Sequence, residues 1–171
     1  MKFSKINRWI PAIFLLGMLL DGQLSSIMES ITRGRCFTFS GLLLLMFLLG
    51  AKSLNKRYLL ILAAVIGFLG DVYFTGIVGL NTFLYPLLTF GMIYWKDVIN
   101  QNILTQLAGF IVVFTMYQVF LAFLQVLFQL VTINSILFVV SILGPSILFN
   151  LLVFIVFIWP LRWIFRMKVK S

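Results

Sequence analysis

Polar positions are so sparse along this chain that they act as punctuation between apolar runs. Those runs fall at 9–28, 37–51, 58–73, 81–95, 103–131 and 136–159. None alternates polar and apolar residues, so the pattern predicts helices and not the strands of a membrane barrel. The longest stretch without a charge, Val98 to Leu161, has 64 residues. A helix needs roughly 20 residues to cross about 30 Å of hydrocarbon, so that stretch holds more than one crossing. Lipid offers no partner to backbone N–H and C=O groups, which leaves the helix as the only spanning form for these runs. The expected architecture is all-α: a single polytopic transmembrane domain over residues 1–171, with about six transmembrane helices.

The runs are unequal. The second, 37–51, has 15 residues and rises only ~22 Å as a helix, whereas the fifth, 103–131, has 29 residues and rises ~43 Å. The fifth must therefore tilt or project beyond the lipid. Between Tyr58 and Trp95 the only charge is Asp71. The turn-formers of Thr75-Gly76-Ile77-Val78-Gly79-Leu80-Asn81 divide that segment into two short helices. Thr132-Ile133-Asn134-Ser135 is the last turn, Gly144-Pro145 is expected to kink the sixth span, and Pro160 with the basic tail to end it. The first run imitates a signal peptide, but Asp21-Gly22-Gln23-Leu24 follows where a small-x-small cleavage site would stand. It is expected to be kept as the first span.

Composition agrees: 63% of residues are hydrophobic, 10% are charged, and the mean hydropathy is +1.15. No ordinary water-facing surface can be built from so few charges. The net charge of +9 follows membrane topology. If the spans alternate, both termini and the loops at 52–57 and 96–102 share one side with 11 basic residues, against Arg33 and Arg35 on the other. The positive-inside rule makes the basic side cytoplasmic, N-in and C-in, with contacts to anionic lipid and no nucleic-acid role. The single Cys36 excludes an intrachain disulfide, and the absence of histidine removes the commonest metal ligand. No cofactor or metal site is expected.

Two carboxylates lie in or near apolar segments, Asp21 and Asp71. An acid at membrane depth costs several kcal/mol on most estimates, about 3 on insertion scales, so each needs a reason. Gly67-Phe68-Leu69-Gly70-Asp71 resembles the GxGD element of intramembrane aspartyl proteases with one residue too many. A proton-coupled carrier using both acids is another reading. The structural reading has each acid cap a turn near the extracytoplasmic end of its helix, or meet Arg33 and Arg35. Gln118, Gln125 and Gln129 fall along one line of a helix, next to Tyr117, as a stripe for helix packing, a pocket or a partner. Ala63 and Gly67, four apart, permit close approach of another helix. The 19 phenylalanines read as mostly lipid-facing bulk.

The segment from Gly67 to Pro86 resembles MreD, the rod shape-determining membrane protein family. That family shows an apolar helix, then D-x-Y, then G-x-x-G-L, then an aromatic-rich helix with a proline. Here these are Asp71, Tyr73, Gly76, Gly79, Leu80 and Pro86. Asp21-Gly22-Gln23, closing the first span, is similar to MreD chains of Gram-positive bacteria. The resemblance implies a non-catalytic scaffold in the bacterial plasma membrane, within the cell-wall elongation machinery. Its implied partners are an MreC-like protein, a RodA-type glycosyltransferase with its penicillin-binding transpeptidase, and MreB filaments. The implied fold resembles that of S components, the substrate-binding subunits of energy-coupling-factor vitamin transporters. Such a subunit is the alternative function, although its A-x-x-x-A docking element is missing, since Leu16 follows Ala12 by four. An enzyme of lipid or peptidoglycan metabolism would need more acids than the four present.

The distribution of bases generates a topological prediction. On a background with Cys36 replaced, cysteines placed near residue 4, in 52–57 and after 165 should resist an impermeant thiol reagent in intact cells. A cysteine at 31–34 should label. Labelling of the C-terminus from outside would refute an even number of crossings.

Overall fold

The computed structural model describes residues 5–31, 39–99, 102–129 and 142–166. Seven α-helices lie among them: α1 (Lys5–Ile31), α2 (Leu42–Ser53), α3 (Lys56–Gly70), α4 (Leu80–Tyr94), α5 (Lys96–Ile99), α6 (Ile103–Leu127) and α7 (Gly144–Arg166). No strand occurs among the described residues. Four stretches are long and apolar enough to cross a bilayer: Trp9–Met28, Lys56–Phe74, Ile103–Leu127 and Gly144–Phe165. The chain is thus an all-α polytopic membrane protein. Helices α2 and α4 are shorter, at 12 and 15 residues, or ~18 and ~22 Å.

Helix α2 is the axis of the bundle. Every residue from Leu42 to Ala51 is buried, and α2 touches each of the other described helices. A helix apolar all round is stable only when surrounded. Its neighbours turn phenylalanine and aliphatic side chains toward it and keep an apolar face outward, as with Trp9, Leu16, Ile61, Val112 and Leu152. Phe14 lies 4.9 Å from Phe47, and Phe110 stacks on Phe154 at 5.8 Å. Six phenylalanines, Phe14, Phe47, Phe110, Phe114, Phe154 and Phe165, therefore fill the interior, while others such as Phe83, Phe90 and Phe123 are exposed as expected.

Several boundaries differ from the sequence reading. Helix α2 begins at Leu42, after non-helical backbone at 39–41, and not at 37. Helix α6 gives way at Phe128 to a turn in which Gln129 takes φ 56°. The turn expected at 132–135 lies outside the described residues. Pro145 is the second residue of α7 and directly follows two π-helical residues at 142 and 143. Helix α7 also continues through Pro160 to Arg166. Pro160 faces outward, and buried Leu161 and Phe165 hold the last turn against the bundle despite the lost backbone bond.

Helices α3 and α4 form the closest pair, and a glycine explains why. A Cβ on Gly67 would stand 2.5 Å from the Asn81 carbonyl oxygen and 3.0 Å from Thr82 Cα. The approach anticipated from Ala63 and Gly67 is real, with Ala63 fully buried beside it. Backbone cannot swing aside as a flexible side chain does. Gly67→Ala should therefore destabilise the purified protein by about 1–3 kcal/mol in thermal or denaturant unfolding, the range for overpacking. Gly91→Ala, with nothing within 4 Å of its Cβ, should leave the midpoint unchanged or slightly raised.

Candidate functional site

The chemistry-bearing residues gather where α2 and α4 begin. The first four N–H groups of any helix lack intrahelical acceptors, and lipid supplies none. At both starts, side chains from neighbouring helices supply them.

Helix α4 is started by Asp71. The end of α3 widens into a π-helical turn, Asp71–Thr75, closed where the Gly76 N–H donates to the Asp71 carbonyl at 2.7 Å. The chain then reverses through Gly76 at φ 67° and Gly79 at φ 124°, left-handed conformations that suit glycine. This reversal carries the first turn of α4 over the Asp71 carboxylate. The carboxylate accepts from the N–H groups of Gly79 (2.9 Å), Asn81 (2.8 Å) and Thr82 (2.9 Å), and from the Thr82 hydroxyl (2.8 Å). Asp71 is 0% exposed. Its negative charge faces the positive end of the α4 dipole, so one acid meets both the orphan donors and the field. Pro86 follows in the second turn of α4, where its missing N–H leaves the Thr82 carbonyl without its usual donor.

Helix α2 is started by two side chains, one on α1 and one on α7, and two more hold the preceding backbone. Asp21 Oδ1 accepts from the Leu42 N–H at 2.9 Å, and Asn150 Oδ1 from the Gly41 N–H at 2.6 Å. Ser25 Oγ accepts from the Ser40 N–H at 3.0 Å, and Ser146 Oγ from the Phe39 N–H at 3.1 Å. Asn150 Nδ2 returns a bond to the Phe39 carbonyl at 2.7 Å. Gly41 is needed for space, since a Cβ would meet Phe114 at 2.7 Å and Asn150 Oδ1 at 3.0 Å.

Each sequence-derived candidate can now be placed. Asp21 and Asp71 are helix caps, each on a different helix start. Arg33 and Arg35, their expected partners, lie outside the described residues. Tyr73 is 69% exposed at the tip of the hairpin, its ring edge-on to Phe74 at 4.9 Å. The glutamine stripe divides. Gln118 is 2% exposed with Nε2 unpartnered, Gln125 lines a cavity, and Gln129 lies beyond the end of α6 and is exposed. Extrapolating one helical line to 129 fails because α6 stops at Leu127.

Sequence reasoning missed Ser25, Asn81, Ser146 and Asn150, each of which was visible as a hydrogen-bonding residue in or beside an apolar run. It also missed Gln106, buried at the opposite end, whose Oε1 accepts from Arg162 Nε at 3.1 Å and from a second guanidinium nitrogen. Between α1, the start of α2, the α3–α4 turn and α6 lies a cavity of about 380 Å³. Tyr85 and Tyr117 stack on its wall at 5.6 Å, and the Tyr117 hydroxyl donates to Asn81 Oδ1 at 2.7 Å. Among the described residues no group of three or more His, Cys, Asp or Glu could hold a metal.

A membrane bundle of short and long helices, tied by buried polar caps, is the class of protein these features define. The family model of the rod shape-determining protein MreD matches residues 4–168, nearly the whole chain, and the chain belongs to that family. It is accordingly a cell-shape protein of the membrane. No curated protein and no solved structure matches it.

The cap geometry distinguishes the two acids. Both Asp71 oxygens accept N–H bonds, so an amide there turns its NH₂ toward donors. Asp71→Asn should lower unfolding stability by about 1–3 kcal/mol, the cost of leaving buried groups unsatisfied. Asp21→Asn keeps a carbonyl for the Leu42 N–H and should cost less than half as much. Equal stability of the two variants would refute the assignment of Asp71 as the dominant cap.

Proposed function

We propose that this chain is a non-catalytic scaffold of the cell-wall elongation machinery. On this reading it holds an MreC-like partner and, with it, a RodA-type glycosyltransferase, its penicillin-binding transpeptidase and MreB filaments. It would sit in the bacterial plasma membrane with six crossings, counting α2 and α4 as short ones, and with both termini inside. The observation that carries the proposal is the hairpin tip. Val72, Tyr73, Phe74, Ile77 and Val78 are all exposed, on a turn whose backbone is fixed by the four bonds to Asp71. A fixed apolar patch with a tyrosine, at the end of the bundle away from the basic loops, suits the membrane-embedded part of a partner.

Neither acid is offered as a catalyst. The Asp71 oxygens are engaged by the α4 start, and Asp21 serves the α2 start. Hydrolysis by a paired-acid mechanism would require both to release those helices.

Tyr73→Ala and Val78→Ala remove exposed atoms and should leave insertion and the unfolding midpoint unchanged. Co-purification of the MreC-like partner should fall by about tenfold or more for Tyr73→Ala, as for an aromatic anchor. Cells carrying it as the sole copy should become round or swollen. Leu152→Ala, on the outward face of α7, is the neutral control. Normal partner capture and normal cell shape in both hairpin variants would overturn the docking proposal.

A further inference from the structure

Arg162 is placed unlike Lys52, Lys56 and Arg57 at the same end of the bundle. Those three are exposed, as is usual for long basic side chains that reach from a membrane helix toward water. Arg162 is half-buried and turns across to α6, where Gln106, 5% exposed, accepts from Nε at 3.1 Å and from a second guanidinium nitrogen. A charge drawn out of water is ordinarily answered by one of opposite sign. Here the bonds go to a neutral amide, and the chain has little else to offer. Of its four acids, Asp21 and Asp71 cap the helix starts at the other end, Glu29 lies eight residues beyond Asp21 on α1, and Asp97 is exposed on α5. The stretches outside the described residues contain no Asp or Glu. A guanidinium carries about five donors in a planar fork, and Gln106 Oε1 engages only part of it.

The caps fix the depth of this group. Asp21 and Asn150 bond neighbouring N–H groups at the start of α2, so they share a level. Twelve residues separate Asp21 from Trp9 on α1, and twelve separate Asn150 from Arg162 on α7, ~18 Å in each case. Trp95, Trp159 and Trp163 complete the chain's four tryptophans, all exposed and all toward this end. Tryptophan collects where hydrocarbon meets headgroups, so the Arg162 fork stands at headgroup depth.

We propose that Arg162, held by Gln106, binds a phosphate group at this level, carried by an anionic phospholipid or by a soluble phosphate. The arginine fork matches two oxygens of a phosphate. A neutral amide fixes that fork without neutralising it, which leaves its charge to the ligand. Basic sites between membrane helices recognise acidic headgroups by the same chemistry. The exposed Lys52, Lys56 and Arg57 attract anions without fixing one, whereas Arg162 makes a single site per chain. It lies at the end away from Tyr73, so it stands or falls independently of partner docking.

The test uses the purified full-length chain in phosphatidylcholine nanodiscs. One arm dopes the bilayer with phosphatidylglycerol and reads lipid retention by native mass spectrometry. The other titrates inorganic phosphate by calorimetry. A single phosphatidylglycerol kept per chain, or saturable one-to-one binding of phosphate, supports the site, and the arm that responds identifies the source. Arg162→Gln should weaken binding about tenfold, the loss of one charge-assisted pair. Arg162→Lys keeps the charge but not the fork and should weaken it roughly threefold. Gln106→Glu gives Arg162 an anion within the protein, so it should keep the unfolding midpoint and still weaken binding about tenfold. That variant carries the test if Arg162→Gln does not fold. Arg57→Gln removes the same charge from an exposed position and should change binding by less than about twofold. Three results would overturn the proposal. One is no response in either arm, and another is Arg57→Gln weakening binding as much as Arg162→Gln, which would assign it to diffuse charge. The third is wild-type binding by Gln106→Glu.

Discussion

A helix of 12 residues rises about 18 Å, and the hydrocarbon of a bilayer is about 30 Å thick. If the C-terminal end of α2, at Lys52, meets one interface, its N-terminal end stops short of the other, at a depth without water. The free N–H groups there, and the non-helical backbone of 39–41 before them, have to be bonded by protein. The rest of the structure follows from that requirement. Asp21 and Ser25 fix α1 to this point, Ser146 and Asn150 fix α7, and Gly41 lets Asn150 reach it. Neither outer helix can slide or rotate about its axis without breaking a bond that nothing else replaces.

The same solution recurs at α4. There a single acid does what several side chains do for α2, because the π-helical turn brings Asp71 directly over the next helix start. The two sites line one cavity. Asn81, whose N–H bonds to Asp71, also accepts from Tyr117 of α6, and Tyr117 stacks on Tyr85 of α4. Three helices, the end of α3, α4 and α6, thus meet in this polar layer. At the opposite end the Gln106–Arg162 contact ties α6 to α7.

The parts legible in sequence were those with a one-dimensional signature. Apolar run lengths yielded the helices, because lipid permits so few alternatives. The cost of an intramembrane acid singled out Asp21 and Asp71, their place near helix ends offered capping as one reading, and the spacing of Ala63 and Gly67 indicated a close helix pair. Other parts depend on three-dimensional neighbours. Asn150 is one polar residue in a long apolar run, and only the folded chain shows that it faces Gly41, more than a hundred positions away. The outward placement of Pro160 let α7 continue where local propensity argued for a stop. Gln129 left the glutamine line because α6 ended first. The division of phenylalanines between core and lipid cannot be read from composition, since both environments are apolar.

That last point also explains why the polar layer matters for the fold. Between membrane helices there is no hydrophobic driving force, since lipid tails are as apolar as leucine. Packing such as Phe14 on Phe47 contributes dispersion, but many rotations of a smooth apolar helix offer similar contact. Directional bonds select one. In this chain they are concentrated where α2 and α4 begin, the same end that carries the exposed hairpin of Tyr73 and Val78. On the proposed reading, a partner bearing on that tip would push against backbone whose next fixed point is the Asp71 carboxylate, and through Asn81 against Tyr117 of α6. The tip is therefore not a loose loop beside a bundle. It is the visible edge of the layer that sets the arrangement of the helices, and force applied there is resisted by the bonds that define the fold.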